Sequence, residues 1–255
     1  RQNVRVKLAQ ERWITSIALY NADATNDFTY RPGPASARTE RTQTNADLQR
    51  RGLLLEQHVR TGSHGRLGLR YWYQQADRRI PPTRLQAFST AQQLDASHRV
   101  MADWRYERAK WGTTLRGGWT DERLDWYASA DAENALSRSQ ILVGEAELHY
   151  RPEGPHTVDL GLHHTHAQAR TDGYPHDPTQ DRSALFALYR YRPHTRFTGT
   201  VGARQEWLDG SAVPFTGSIG ANYRVPINGD DSVTFRGSYT YTSKFYTDQL
   251  NRDWL

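Results

Sequence analysis

The 255-residue sequence predicts an all-β fold: an antiparallel up-and-down meander of about twelve strands, of the kind that builds a transmembrane β-barrel. Three observations lead there. The first is period-two alternation, plainest over residues 196–241. Phe197, Val201 and Ala203, then Phe215, Ile219, Ala221 and Tyr223, then Val233, Phe235, Tyr239 and Tyr241 alternate with Thr198, Thr200, Arg204, Glu206, Thr216, Ser218, Asn222, Arg224, Thr234 and Arg236. Opposite chemistry on the two sides of extended chain means strands with one wet face. The second is that connections run short, long, short, long. A meander keeps all turns of one parity at one end, so one end is trimmed and the other elaborated, as in membrane barrels. The third is aromatic placement. Tyr20, Trp72, Tyr73, Trp104, Tyr106, Trp111, Trp119, Tyr150, Tyr191, Trp207, Tyr223 and Tyr241 fall near strand ends, where a girdle at the lipid–water boundary belongs.

Taken in order, Val4, Val6 and Leu8 alternate with Arg5 and Lys7, and residues 10–12 turn into a strand carrying Trp13, Thr15, Ile17 and Leu19 on one face. A long connection is expected over 21–46. Strands over 52–60 and 66–74 meet through Gly62 and Gly65, placing Leu53, Leu55, Gln57 and Val59 beside Leu67, Leu69, Tyr71 and Tyr73. A second long loop covers 76–93, then strands at 96–106 and 111–120, then a third loop over 121–139. The pair 141–150 and 157–166 turns at Pro152 and Gly154, and 168–181 is long again. In the last such unit, 183–191, both alternations contain apolar residues, so no face can be chosen. The Asp209-Gly210 connection is the one shorter outer loop.

Composition bounds the function. Hydrophobic residues make up 36%, yet 14 Tyr, 8 Trp and 7 Phe give burial energy that disordered chains lack. No run reaches the ~18 apolar residues of a membrane helix. The formal charge of +5 comes from basic residues spread among 28 acidic ones, so nucleic acid is not the expected partner. With no cysteine there is no disulfide, no thiolate and no Cys-type zinc site. The chain opens directly in a strand pattern without initiator Met or signal peptide and stops in loop-like sequence, so an internal piece of a longer protein is expected.

Inward positions include Arg70, Arg99, Asp103, Arg105, Arg116, Glu145, Glu147, Arg204, Glu206, Arg224 and Arg236. In a wide barrel they line a hydrated lumen; on any antiparallel sheet they are simply the solvated face. His163, His164 and His166 invite a metal reading, but lack a fourth ligand of suitable spacing, and no metal or cofactor is expected. Glu145 and Glu147 stand about 7 Å apart on one strand, the spacing of some hydrolase pairs. No Ser-His-Asp set or phosphate loop accompanies them, and the expectation is a protein without enzymatic activity. Ligand capture belongs to the long loops, where Tyr30, Arg31, Phe88, Trp126, Tyr127, Tyr174, His176, Tyr246 and Trp254 are the aromatic and polar candidates.

Several segments resemble the barrel of TonB-dependent outer-membrane receptors, in the vitamin B12 (cobalamin) transporter-like branch. These are YWYQQADRRIPP at 71–82, QARTDGY at 168–174, and ARQEWLDG at 203–210 with PFT at 214–216. The run YTSKF at 241–245 with Asn251, Asp253 and Trp254 is similar to the family's approach to a Gly-Gly-Asn-Pro loop, though Tyr246, Asp248 and Gln249 stand where the family has an Arg and a Pro-Thr. The resemblance implies that residues 1–255 are an open segment of a 22-stranded barrel in the bacterial outer membrane, with plug domain and C-terminal strands absent. It further implies contact with outer-membrane lipid, a plug domain met by the inward residues, energy delivered through TonB, and import of a small molecule, a corrinoid or metal chelate. Read from the residues alone, a siderophore or other nutrient receptor, a passive porin and a soluble all-β binding domain stay open.

Overall fold

The computed structural model describes residues 1–31, 40–83, 85–129, 131–228 and 231–243. Alternation of apolar and polar residues folds this chain into strands because each face then meets one environment. β1 (Gln2–Ala9), β2 (Trp13–Ala24), the short pair β3 (Thr29–Tyr30) and β4 (Arg41–Thr42), and β5 (Leu48–Thr61) come first. β6 (Gly65–Arg79), β7 (Gln92–Glu107), β8 (Trp111–Tyr127), β9 (Asn134–Tyr150), β10 (His156–Thr171) and β11 (Thr179–His194) follow. β12 (Phe197–Leu208), β13 (Ser211–Ala212), β14 (Thr216–Pro226) and β15 (Ser232–Thr242) complete the order.

Twelve long strands form one antiparallel meander, β1-β2-β5-β6-β7-β8-β9-β10-β11-β12-β14-β15, in which sheet order is chain order. β13 adds a small ladder on β12, and β3 pairs with β4 apart from the main sheet. No ladder joins β1 to β15 among the described residues, so the sheet is open with two unpaired edges.

The short connections at one end are tight. Gly62 (φ 77°) and Gly154 (φ 99°) supply the left-handed backbone that the turns after β5 and β9 require. At the other end, Asp209 and Gly210 both have positive φ, 49° and 79°, as a type I′ hairpin turn demands, and they join β12 to β13.

The strands run further toward the long-connection end than alternation indicates. β8 reaches Tyr127 and β9 starts at Asn134, so the loop expected over 121–139 is mostly strand. Likewise β6 ends at Arg79, β10 at Thr171, and β11 begins at Thr179. Beyond the apolar band both faces are polar, and the period-two signal vanishes while the hydrogen-bond ladder continues.

The registers define the faces. One row runs Val6, Ile17, Leu55, Tyr71, Val100, Trp119 and Leu142. Another runs Trp111, Tyr150, Val158, Tyr189, Val201, Ile219 and Tyr239. Along the ladder the apolar band therefore slides down the strands from β1 to β15, the offset that tilted strands of a membrane barrel require. On β8 it spans Trp111 to Trp119, about 27 Å of strand, or roughly 20 Å of depth at a 40° tilt, close to the band of a membrane barrel.

Among the described residues there is no hydrophobic core. The buried apolar residues are Ala76, Ala91 and Ala184 alone among those described, and the sheet is one layer thick. Instead Val4, Leu19, Leu142, Leu162, Ile219 and Phe235 stand exposed on one face. An apolar surface of that extent needs lipid or a partner against it. The polar face is the crowded one, holding buried Ser16, Thr114 and Ala184, as the inner side of a curved sheet does.

Candidate functional site

The candidate site is the polar face, because the registers gather its charges into connected groups. Every inward residue expected from the sequence, Arg70, Arg99, Asp103, Arg105, Arg116, Glu145, Glu147, Arg204, Glu206, Arg224 and Arg236, lies on that face. Near β1, Arg5 reaches Glu56 at 3.3 Å, Arg70 lies 3.6 Å from Glu56 and 3.9 Å from Asp103.

At the centre, one Arg116 nitrogen sits 3.1 Å from both Glu145 and Glu147. This explains why two carboxylates tolerate one strand face. His163 approaches Glu145 at 3.2 Å, and His149 lies 3.5 Å from Glu147 and 2.7 Å from Asp159. Further along, Arg182 and Arg204 (3.3 Å) both pair with Glu206. Arg99 binds Glu122 at 2.5 Å while its guanidinium covers the Trp72 ring at 4.8 Å.

Glu56, His149, Asp159 and His163 join these groups although sequence reasoning did not single out the first three. Their signal was there in the alternation phase, but only register shows which inward residues sit opposite each other. One inner row, Arg60, Arg66 and Arg105, has three exposed cations directly facing. None has an ion-pair partner among the described residues. Like charges so placed are unfavourable, and a ligand or segment bearing acceptors would relieve them.

Two aromatics expected in the girdle are inside instead. Tyr20 lies over Gly52, where an added Cβ would meet its ring at 2.1 Å, and Trp72 lies under Arg99. Both occupy the polar phase of their strands, opposite to Leu19 and Tyr73. Phe186 is likewise inside, seated over Gly161, which settles the ambiguous β11: Leu185, Ala187 and Tyr189 face out, Ala184, Phe186 and Leu188 face in. Other rings form contacts along the outer face near the short turns. Trp104 stacks with Tyr106 at 5.9 Å, Trp111 meets Tyr150 at 4.1 Å, and His156 lies 5.3 Å from Tyr191.

The histidine trio is split between faces. His163 is inside with Glu145, whereas His164 binds Ser183 at 2.8 Å and His166 binds Asp181 at 2.9 Å outside.

The loop candidates do not converge. Tyr30 belongs to the β3–β4 pair, with Arg31 bonded to Glu40 at 2.7 Å and Phe28 edge-on to Tyr30. Phe88 and Tyr174 are exposed, and His176 lies in the connection after β10. Trp126 and Tyr127 are strand residues, not loop residues, and their side chains take opposite faces. Tyr246 and Trp254 lie outside the described residues. The described ones share the long-connection end, and no single cleft among the described residues holds them.

Outside the apolar band, Asp125 at the end of β8 accepts from Arg123 at 2.7 and 2.9 Å and from Asn134 at 2.8 Å. The Arg123 guanidinium holds this carboxyl below the usual carboxylate range.

No family model matches the chain, and no curated protein does. Solved structures do match in fold. The siderophore receptor PirA from Pseudomonas aeruginosa superposes with a TM-score of 0.66 at 7% identity, over 92% of this chain and 38% of the receptor. The FrpB iron transporter from Neisseria meningitidis (F3-3 variant) gives 0.71 at 12% identity, over 93% and 43%. The ferric yersiniabactin uptake receptor FyuA from Yersinia pestis gives 0.59 at 10% identity, over 93% and 40%. The chain thus shares the fold of part of these receptors and transporters and spans about two-fifths of their length. These neighbours are receptors and transporters, none of them an enzyme by name.

Proposed function

We propose that this chain is the barrel segment of an outer-membrane active-transport receptor that imports a scarce small molecule with energy delivered through TonB. The observation that carries the reading is the pairing of an outward apolar band with an inward belt of ion pairs, on a meander that overlays receptor barrels over nearly its whole length. A lipid-facing surface explains the absent core. A hydrated lumen filled by a plug explains the half-buried charges, with Arg60, Arg66 and Arg105 facing carboxylates or carbonyls of that plug. Short turns then face the periplasm, and the long connections carrying Tyr30, Arg31, Phe88 and Tyr174 face outward to meet ligand.

The cargo is a metal chelate in this reading. A corrinoid is favoured by the cobalamin-receptor-like segments at 71–82, 168–174 and 203–210; a ferric siderophore is the second reading, favoured by neighbours named for iron and siderophores. The test is binding and uptake with the full-length protein. Saturable binding of cyanocobalamin or of a ferric siderophore, with uptake lost in a strain lacking TonB, is the expected result. Uptake that persists without TonB would indicate a passive pore and overturn the proposal.

A further inference from the structure

The first two long connections, 25–47 and 80–91, meet at one side chain. Each is closed at its own neck. In the first, Asn26 Nδ2 donates to the Ala46 carbonyl at 2.8 Å and the Gln43 backbone nitrogen to the Phe28 carbonyl at 2.9 Å, which ties the β3–β4 pair to the chain entering β5. In the second, the Ile80 nitrogen donates to the Ala91 carbonyl at 2.9 Å and Ser89 Oγ to the Ile80 carbonyl at 2.8 Å. The β5–β6 ladder sets the two necks side by side. One step past its last pair, Leu48 with Arg78, the Arg79 nitrogen still donates to the Asp47 carbonyl at 2.8 Å.

Asn45 joins the necks. Its amide nitrogen donates to the carbonyls of Ile80 at 2.7 Å and Ala91 at 2.9 Å, the two residues that open and close the second connection. Two hydrogens meet two carbonyls, so every donor on that nitrogen is used, and only the nitrogen end of the amide can face such a pair. The backbone here has φ 51°, in the left-handed region that asparagine tolerates. Glycine would take this φ without a donor, and aspartate would take it with acceptors only. The Ile80 and Ala91 carbonyls each keep a second donor, Ser89 Oγ and the Ile80 nitrogen. Loss of the Asn45 amide therefore separates the two connections without opening the second.

We propose that Asn45 is a positioning residue for cargo capture: it makes the first two connections one body, so that Tyr30 and Arg31 on one and Phe88 on the other meet a ligand at a fixed separation. The inference rests on the receptor reading above. Among the described residues no cleft joins these surfaces, so a common base is what fixes their spacing. A platform set before binding spares the ligand the cost of ordering two loops.

The test uses the full-length protein in detergent, with nitroxide labels on T42C and A87C, one exposed position on each connection. Residues 1–255 hold no cysteine of their own. Pulsed electron spin resonance should give one narrow distance distribution with Asn45 in place and broad ones in N45G and N45D. Binding of cyanocobalamin and of ferric enterobactin, the corrinoid and siderophore probes, is then measured on the unlabelled proteins. For the probe that the unaltered protein binds, N45G should weaken affinity about ten-fold, within the net value of two hydrogen bonds, while the thermal unfolding midpoint is unchanged. N45D, which sets a carboxylate against two carbonyls, should weaken it at least as much. A distribution in N45G as narrow as with Asn45 would overturn the clasp. A broad distribution with unchanged affinity would overturn its role in capture, as would a lowered unfolding midpoint with unchanged affinity, the mark of a merely structural residue. If the unaltered protein binds neither probe, the receptor reading beneath the proposal fails and the role in capture with it, while the distances judge the clasp by themselves.

Discussion

Arg116 is the test of whether the inner belt is organised or merely solvated. Its guanidinium lies 3.1 Å from Glu145 and from Glu147, with 40% of the side chain exposed. At an effective dielectric of about 20, one such pair has roughly 4 kcal/mol of Coulomb attraction. Solvent exposure and the entropy of holding long side chains reduce the net value of an exposed pair to about 0.2–1 kcal/mol. Two pairs share the one cation, so R116M should lower stability by about 1–2 kcal/mol, with part of the loss coming from Glu145 and Glu147 facing each other unshielded. A double-mutant cycle of R116M with E145Q should give a coupling of about 0.5–1 kcal/mol, and the same cycle with E147Q a similar figure. The measurement is urea unfolding in detergent micelles, followed by tryptophan fluorescence. Couplings indistinguishable from zero in both cycles would refute the claim that register, and not mere polarity, assembles the belt.

Three further outcomes follow from the same structure. Leu115→Arg, in the middle of the outward band, should cost about 2–4 kcal/mol in a bilayer, whereas Ser218→Arg on the inner face should be near neutral; comparable losses in vesicle refolding would contradict the face assignment. Gly161→Ala places a Cβ 2.1 Å from the Phe186 ring, so about 1–3 kcal/mol should be lost, and G161A combined with F186L should regain part of it in thermal unfolding. For Asp125 the folded-state pKa is lowered, so its contribution is present above the usual carboxylate range and disappears as pH falls through the depressed folded value. Hydrogen exchange at Asn134 should therefore quicken below about pH 4, and D125N should be quick at every pH.

Much of this architecture was legible because a membrane strand must answer two solvents at once. Val4, Val6 and Leu8, or Ile219, Ala221 and Tyr223, announce a face without any tertiary information. The same logic failed where both faces meet water: Trp126 and Tyr127 read as loop because nothing distinguishes a polar strand from a polar connection. It also failed where a large ring sits inside. Tyr20 and Trp72 looked like girdle residues until Gly52 and Arg99 were found opposite them, and that information lies on neighbouring strands. The charges of the candidate site were individually visible, but their partnerships were not. Arg116 with Glu145 is separated in sequence and joined only by the β8–β9 register, while His149 needed the β9–β10 register to meet Asp159.

The coincidence of sheet order with chain order has a consequence for how such a wall is assembled. Each long strand pairs only with the long strands before and after it, so loop closure never spans more than one connection between long strands, and its entropic cost grows only slowly with the length of that connection. The sheet can grow as a zipper, with one advancing edge that templates the next strand. A break in any outer connection, such as residues 172–178, leaves two contiguous blocks whose only lost continuity is covalent. Such blocks should find each other again along the β10–β11 ladder.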